Sequence, residues 1–343
     1  MQEKRRLNAL ADLIKDYIST DGTDQYYHRT EVKESDFKPI FPQKFDGSIF
    51  AIDGSNVLLF DLAAAKINFI RTGYVVYRGT DWQKAEITDK VFVADQERYA
   101  PQFESDLKEA FGLDYGFRLE ETELDRLSTY YRELQEYVAV FEALAEAEEG
   151  DLVLYDGGFA FWKEPYKDVL DLIFDISKEK GVYLLGISKS STFSWNDGIS
   201  RPFVHDSNYV GTTILPKNGW YLCLDEKNIR PMHHAGLWDG NIYVAKFHPR
   251  ADRAFRVDAP SHVAENMGKA LSHVACYSNS AECLGYPHAL FRAHREIRIT
   301  EHEGMQLRHS LLDELGRKGI SEQLVRSFQD YHGFLEMRSG RTL

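Results

Sequence analysis

Two aspartates of this chain sit in the same local setting, AIDGS at 51–55 and LYDGG at 154–158. Each follows a short apolar run rich in β-formers, and each precedes glycine. Such runs read as buried strands that end in a turn. In an open α/β sheet, functional groups gather beyond the strand ends. If the two strands are neighbours, Asp53 and Asp156 meet there. Adjacent carboxylates repel, and a divalent cation removes the repulsion while keeping both ionised. The glycine after each aspartate lets the backbone turn sharply and leaves room for a bulky ligand. The plain alternative is that Asp-Gly marks two ordinary turns. Oxygen ligands select hard cations such as Mg2+ or Mn2+. Two such ions about 3.5–4 Å apart activate a water and stabilise the leaving oxygen of a phosphodiester. That chemistry needs no nucleophilic side chain. The sequence offers no GxSxG, no Walker A pattern and no credible Ser-His-Asp order.

The elements that must position these groups follow from periodicity. Leu7, Leu10, Ala11, Ile14 and Ile18 recur at helical spacing, so residues 3–18 predict an amphipathic helix. Residues 20–45 are polar, carry Gly22, Pro39 and Pro42, and read as a connector. Strands are expected at 49–52, 67–79, 87–95, 151–155 and 182–191, with helices at about 119–148 and 165–179. Antiparallel strands followed by βαβ crossovers give a mixed α/β sheet with helices on its faces. Residues 192–260 are less regular, with strands at 220–224, 241–247 and 254–258 as a second sheet or a sheet extension. Helices at 261–280, 288–299 and 305–316 complete the pattern.

A third carboxylate is expected from the helix that returns over the sheet. The strand at 151–155 advances about 16 Å at about 3.3 Å per residue. A helix covering that length uses about 11 residues at about 1.5 Å each. Counting back from residue 148 reaches about 137, which favours Glu136, with Glu133 next. Glu136 lies opposite the stripe formed by Leu127, Tyr131, Leu134, Val138, Phe141 and Ala145, whereas Glu133 lies on its flank beside Tyr130 and Tyr137. Either glutamate also fits a solvated helix face, so the sequence leaves the choice between them open.

The ordered set AIDGS, LYDGG, GISKS and GYPHALFRAH resembles the NurA family over about residues 45–305. That resemblance implies an RNase H-like fold and a metal-dependent DNA nuclease, with 5′–3′ exonuclease and single-strand endonuclease activity. It implies Mn2+ or Mg2+ as cofactor, and metal ligands at Asp53, Glu136, Asp156 and His294. Lys189 matches the lysine at the end of its strand, where it would meet a scissile phosphate as a point charge. Tyr243 is the candidate for a motif tyrosine. Arg292, Arg295 and Arg298 could hold backbone phosphates, and Tyr286 and Phe291 could stack on bases. The implied partners are single-stranded DNA and duplex ends, a second copy of the chain, and a HerA-type hexameric translocase in DNA end resection. The implied division is an N-terminal helix and connector over 1–45, a nuclease domain over 46–305 and a C-terminal helical tail over 306–343. The rival readings are an inert DNA-end or translocase adaptor, a sugar-kinase-like enzyme lacking the expected glycine-rich phosphate loops, and an RNA-directed nuclease.

Composition constrains these readings. The 343 residues are 43% hydrophobic, enough for a sizeable core. No apolar run approaches the roughly 18 residues of a membrane helix, and Asp12 interrupts what would be a signal-peptide core. A cytoplasmic protein with no membrane partner is expected. The 3 cysteines, Cys223, Cys276 and Cys283, do not form a disulfide framework. The net charge of −13 runs against a free DNA binder. It predicts weak unaided affinity, or a basic channel inside an acidic shell, as suits a nuclease fed by a ring.

Overall fold

The computed structural model of the chain describes residues 2–18, 23–62, 64–116, 126–159, 164–191, 193–195, 202–224, 229–230 and 240–328. Helix α1 (Gln2–Ile18) forms where helical spacing places it. Its apolar residues Leu7, Leu10, Leu13 and Ile14 are 50–68% exposed. The connector expected at 20–45 is largely built into the fold instead. Helix α2 (Thr23–Thr30) buries Tyr26 edge-on against Trp195, and strand β1 (Lys38–Ile40) joins the main sheet. Its buried anchors, Tyr26, Val32, Phe37 and Ile40, are too widely spaced to register as a periodic pattern.

Strands β2 (Ser48–Asp61), β3 (Lys66–Arg78) and β4 (Asp81–Ala94) make a long antiparallel meander. The expected turn after Asp53 is absent. β2 runs straight through it, with Asp53 opposite Gly73 and Gly54 opposite Thr72. Helix α3 (Tyr99–Phe111), which periodicity did not mark, packs beside α4 (Leu127–Glu146). Then β5 (Leu152–Tyr155), α5 (Glu164–Glu179) and β6 (Tyr183–Ser188) supply the parallel crossovers.

The less regular stretch contains β7 (Ser194–Trp195), α6 (Phe203–Ile214), β8 (Gly219–Leu224), β9 (Ile229–Arg230), β10 (Gly240–Lys246) and β11 (Phe255–Pro260). β8, β10 and β11 extend the main sheet, while β7 pairs with β9 apart from it. The nine-stranded order is β1-β8-β10-β11-β6-β5-β2-β3-β4. Its half from β6 to β4 is the RNase H-like mixed sheet. Residues expected as one helix at 261–280 form a 3-10 turn at Ser261–Asn266 and then α7 (Met267–Cys276). The C-terminal helices are α8 (His288–Ile297), α9 (Glu301–Arg317) and α10 (Glu322–Phe328).

Each face of the sheet carries a core. One gathers side chains of α3, α4, α5 and α6, and the other those of α7 and α8. A smaller apolar cluster under α9 and α10 covers the far end of β2. α4 is buried on more of its circumference than one stripe allows. Val138 and Phe141 are only half-buried, whereas Gln135, Glu136, Val140 and Leu144 are buried. Among the described residues no helix is long and apolar enough to cross a membrane. All 3 cysteines are free thiols.

Candidate metal centre

Parallel pairing of β2 with β5 sets Ile52 against Tyr155. Asp53 and Asp156 are the next residue on each, and the Asp156 amide donates to the Ile52 carbonyl at 3.0 Å. β5 ends at this point and β2 does not, so the two carboxylates stand where one strand edge emerges from beside its neighbour. α8 brings the third group. His294 Nδ1 lies 2.8 Å from Asp53 Oδ2, and the ligand atoms of Asp53, Asp156 and His294 all fall within 4.8 Å of one another. Gly285 sets the entry to α8 with φ +86°, and a Cβ there would meet Ala251 Cβ at 2.3 Å. Only glycine closes that turn without strain.

Glu136 reaches the same place from the opposite face of the sheet. It lies across Gly54, where a Cβ would come within 2.2 Å of Glu136 Oε1. The glycine after Asp53 therefore makes room for a carboxylate rather than for a turn. Glu136 is 4% exposed. It accepts from the Tyr155 hydroxyl at 2.9 Å, and Arg132 Nε lies 3.1 Å from its other oxygen. Burial pushes its carboxyl up to about 8. Arg132 and the Tyr155 hydroxyl pull it down, while Asp53 and Glu133 push it up. Glu133, one turn from this position, accepts from the Tyr137 hydroxyl at 3.2 Å.

Lys189 follows β6 and pairs with Asp156, its ammonium 5.5 Å from the centre of the Tyr286 ring. Burial raises the Asp156 carboxyl and Asp53 adds to that, against Lys189 and Tyr286. Burial and Asp156 together raise the Tyr286 phenol. Next to this group, Asp258 on β11 accepts from the Phe159 amide at 2.8 Å and forms a two-point pair with Arg256 at 2.7 and 2.5 Å. Both are buried, and a Cβ on Gly158 would sit 2.9 Å from Asp258 Oδ2. This pair braces the Asp-Gly-Gly turn that presents Asp156.

The structure thus brings Asp53, Asp156, Glu136, Lys189 and His294 to one place. Tyr243 is elsewhere, buried on β10 beside Tyr221 with Cys223 as its neighbour. Tyr286 is the tyrosine beside Asp156, and its ring packs on Phe255 rather than standing free to stack on a base. Phe291 packs against the core. Arg292 pairs with Glu296 at 2.9 Å and Arg295 lies 3.8 Å from Glu282, so the outer face of α8 is partly neutralised. Arg298 is exposed. Sequence reading missed Arg132, Tyr155, Arg256 and Asp258. Arg256 and Asp258 did leave a signal, an i,i+2 charged pair inside an otherwise apolar strand.

The donor set fits a divalent cation. It offers carboxylate oxygens and one imidazole, which suit Mg2+ or Mn2+. Asp156 Oδ2, Arg132 Nε and the Tyr286 hydroxyl are buried without well-aligned hydrogen bonds, although each lies beside a charged neighbour. Buried polar atoms left in that condition mark a place that a further ligand would complete.

The NurA domain family model matches residues 47–299. Among solved structures, the NurA nuclease from Sulfolobus solfataricus is 13% identical with a TM-score of 0.54, over 92% of this chain and 95% of that one. A second NurA crystal structure is 12% identical with a TM-score of 0.56, over 91% and 98%. Human endonuclease V is 11% identical with a TM-score of 0.36, over 83% and 100%. No curated protein matches the chain.

Proposed function

The chain belongs to the NurA family, and on that premise we propose that it is a metal-dependent deoxyribonuclease using Mn2+ or Mg2+, with two ions as the working arrangement. The observation that carries this reading is the convergence of Asp53, Asp156 and His294 within 4.8 Å, with Glu136 arriving over Gly54. A bound divalent cation supplies acidification of a water and charge neutralisation at the phosphodiester. The chain's own residues do the rest. Asp53 and Asp156 fix the cation position from two adjacent strands, and His294 closes it from α8. Glu136 offers a further carboxylate from α4. Lys189 meets the scissile phosphate once it is no longer needed by Asp156. End-labelled DNA incubated with and without Mn2+ tests the reading. Metal-dependent shortening of the labelled strand is expected, and its absence with both Mn2+ and Mg2+ favours the inert adaptor instead.

The remaining parts of the reading are 5′–3′ exonuclease and single-strand endonuclease action in DNA end resection, as a homodimer fed by a HerA-type translocase. The nuclease unit is taken as 46–305, preceded by the N-terminal segment 1–45 and followed by the tail 306–343. β1 and α2 come from that N-terminal segment, so its contribution to the sheet belongs with the nuclease unit. Helix α1 is the element assigned to assembly. Four exposed apolar side chains on one helix need a surface to cover them. Removing residues 1–18 should weaken dimerisation or translocase binding while leaving cleavage of short DNA within about two-fold. Light scattering and a pull-down would read this. A truncated chain that still dimerises and still binds the translocase would place the interface elsewhere.

A further inference from the structure

We infer that Arg132 is a displaceable counter-ion, which covers Glu136 until a divalent cation takes that carboxylate and then turns to a DNA backbone phosphate. The inference rests on the proposed metal-dependent nuclease. Arg132 stands one helical turn before Glu136 on α4, so the two side chains share a face. Its Nε lies 3.1 Å from Glu136 Oε1, and its Nη1 donates to Asn56 Oδ1 at 3.2 Å. Asp53 and Glu133 are further acidic neighbours of this guanidinium. Nε lacks a well-aligned hydrogen bond despite being buried. The pairing is electrostatic and leaves much of the five-donor fork unused.

The side chain is also placed to serve a second partner. Its side chain is 31% exposed, against 6% for the side chain of Glu136, so it spans from the buried carboxyl to solvent. Asn56 lies on β2 three residues beyond Asp53, where β2 has left β5 behind. Gly54 and Asn56 are half-buried on the α4 side of β2, giving a short accessible strip beside the metal centre, while Ser55 and Val57 turn toward α8 and α9. A strand of DNA lying along that strip would bring a phosphate next to the scissile one under Arg132. A guanidinium fork matches phosphate oxygens in two-point geometry.

Charge balance gives the order of events. Without a cation, Arg132 is the positive charge set against Glu136, a buried acid whose neighbour Asp53 is also acidic. A divalent cation held by Glu136 makes that charge redundant. Freed from its partner, the guanidinium would keep a buried Nε edge with no anion against it unless one replaced the carboxylate. The DNA phosphate is that anion. Metal and DNA binding are thereby coupled through one side chain.

Arg132→Met in the full chain tests this with two binding measurements besides cleavage. Calorimetric titration with Mn2+, without DNA, should give affinity about 3- to 10-fold tighter than wild type, because no fixed positive charge then stands against the group the cation takes. Fluorescence anisotropy of a single-stranded oligonucleotide, with Ca2+ replacing Mn2+ to read binding without turnover, should give affinity about 10-fold weaker. The slope of log affinity against log salt should fall by about 0.7, the loss of one phosphate contact. Arg132→Lys keeps the charge and should restore wild-type metal affinity with partial DNA binding. Weaker binding of both Mn2+ and DNA by Arg132→Met would mean that Arg132 only orients Glu136, and would overturn the inference. Unchanged DNA affinity and salt slope would overturn it as well. A wild-type chain that binds Mn2+ and cleaves DNA while the variant gives either result keeps the proposed function and removes only this inference. A wild-type chain that binds no metal removes both.

Discussion

Replacing Asp53 or Asp156 with asparagine is expected to cut DNA cleavage by ~10³-fold or more while the fold survives. Each substitution is close to isosteric and keeps a hydrogen-bonding oxygen, but it removes one of the charges that hold a cation. Asp53 also orients His294 through the 2.8 Å contact to Nδ1, so its loss loosens two ligands at once. Asp156 is the cleaner test. Burial and Asp53 raise its carboxyl above the ordinary range, so ionising it in the cation-free protein costs stability. For a group whose folded pKa is raised, that cost grows as pH rises above the unfolded value and reaches its full size above the folded one. Asp156→Asn removes it. The cation-free variant should therefore melt at or above the wild-type temperature at pH 8 while cleaving almost nothing. Thermal unfolding and an end-labelled digestion with Mn2+ measure the two halves. Near-wild-type cleavage in either aspartate variant would sink the assignment.

The sheet was legible because its strands are long or strongly apolar. β5 and β6 are continuous buried runs, and β3 is almost entirely β-forming. The strand–turn reading of AIDGS failed for a physical reason. Asp-Gly usually breaks a strand, but here the glycine is demanded by a side chain from another element, Glu136, and pairing with β3 carries β2 past it. Such a long-range demand leaves no local trace. The same holds for Glu136 itself. Its stripe argument placed it on solvent, because a single-face pattern assumes that only one face of a helix is covered. α4 is packed by the sheet on one side and by α3 and α5 on others, so its polar buried residues lie off the apolar stripe. The length count, which used only strand and helix rise, put Glu136 over the end of β5 because geometry along the axis does not depend on which face is apolar. α3 and α6 escaped notice since each lies in a stretch where Asp, Gln, Asn and Thr interrupt the apolar period. Tyr286 was visible only as a candidate stacking residue within GYP, and its place beside Asp156 depends on β5 and on Lys189 after β6, neither of which is near it in sequence.

Glu136→Gln is expected to lose ~10²-fold or more of cleavage activity, and Glu133→Gln to keep most of it. The two glutamates are three residues apart, yet one lies across Gly54 beside Asp53 and the other bonds the Tyr137 hydroxyl. The pH dependence separates a ligand from a structural acid. Burial raises the Glu136 carboxyl from an ordinary 4.5 to about 8. Between those values the folded cation-free protein holds a proton that the unfolded chain has released, so stability falls as pH rises through that window. Glu136→Gln has no such proton to lose. Its melting temperature should exceed that of wild type at pH 8.5 and converge on it near pH 5. If Glu136 ligates the cation, Mn2+ binding to wild type at pH 7 must expel that proton. Calorimetry in two buffers of different ionisation enthalpy would then report proton release near one per cation, absent from Glu136→Gln and present in Glu133→Gln. Proton release that survives in Glu136→Gln but vanishes in Glu133→Gln would move the ligand one helical turn toward the N-terminus of α4. Release that survives in both variants would assign the proton to another group at the centre, and Glu136 would then be a buried acid held by Arg132 and Tyr155 alone.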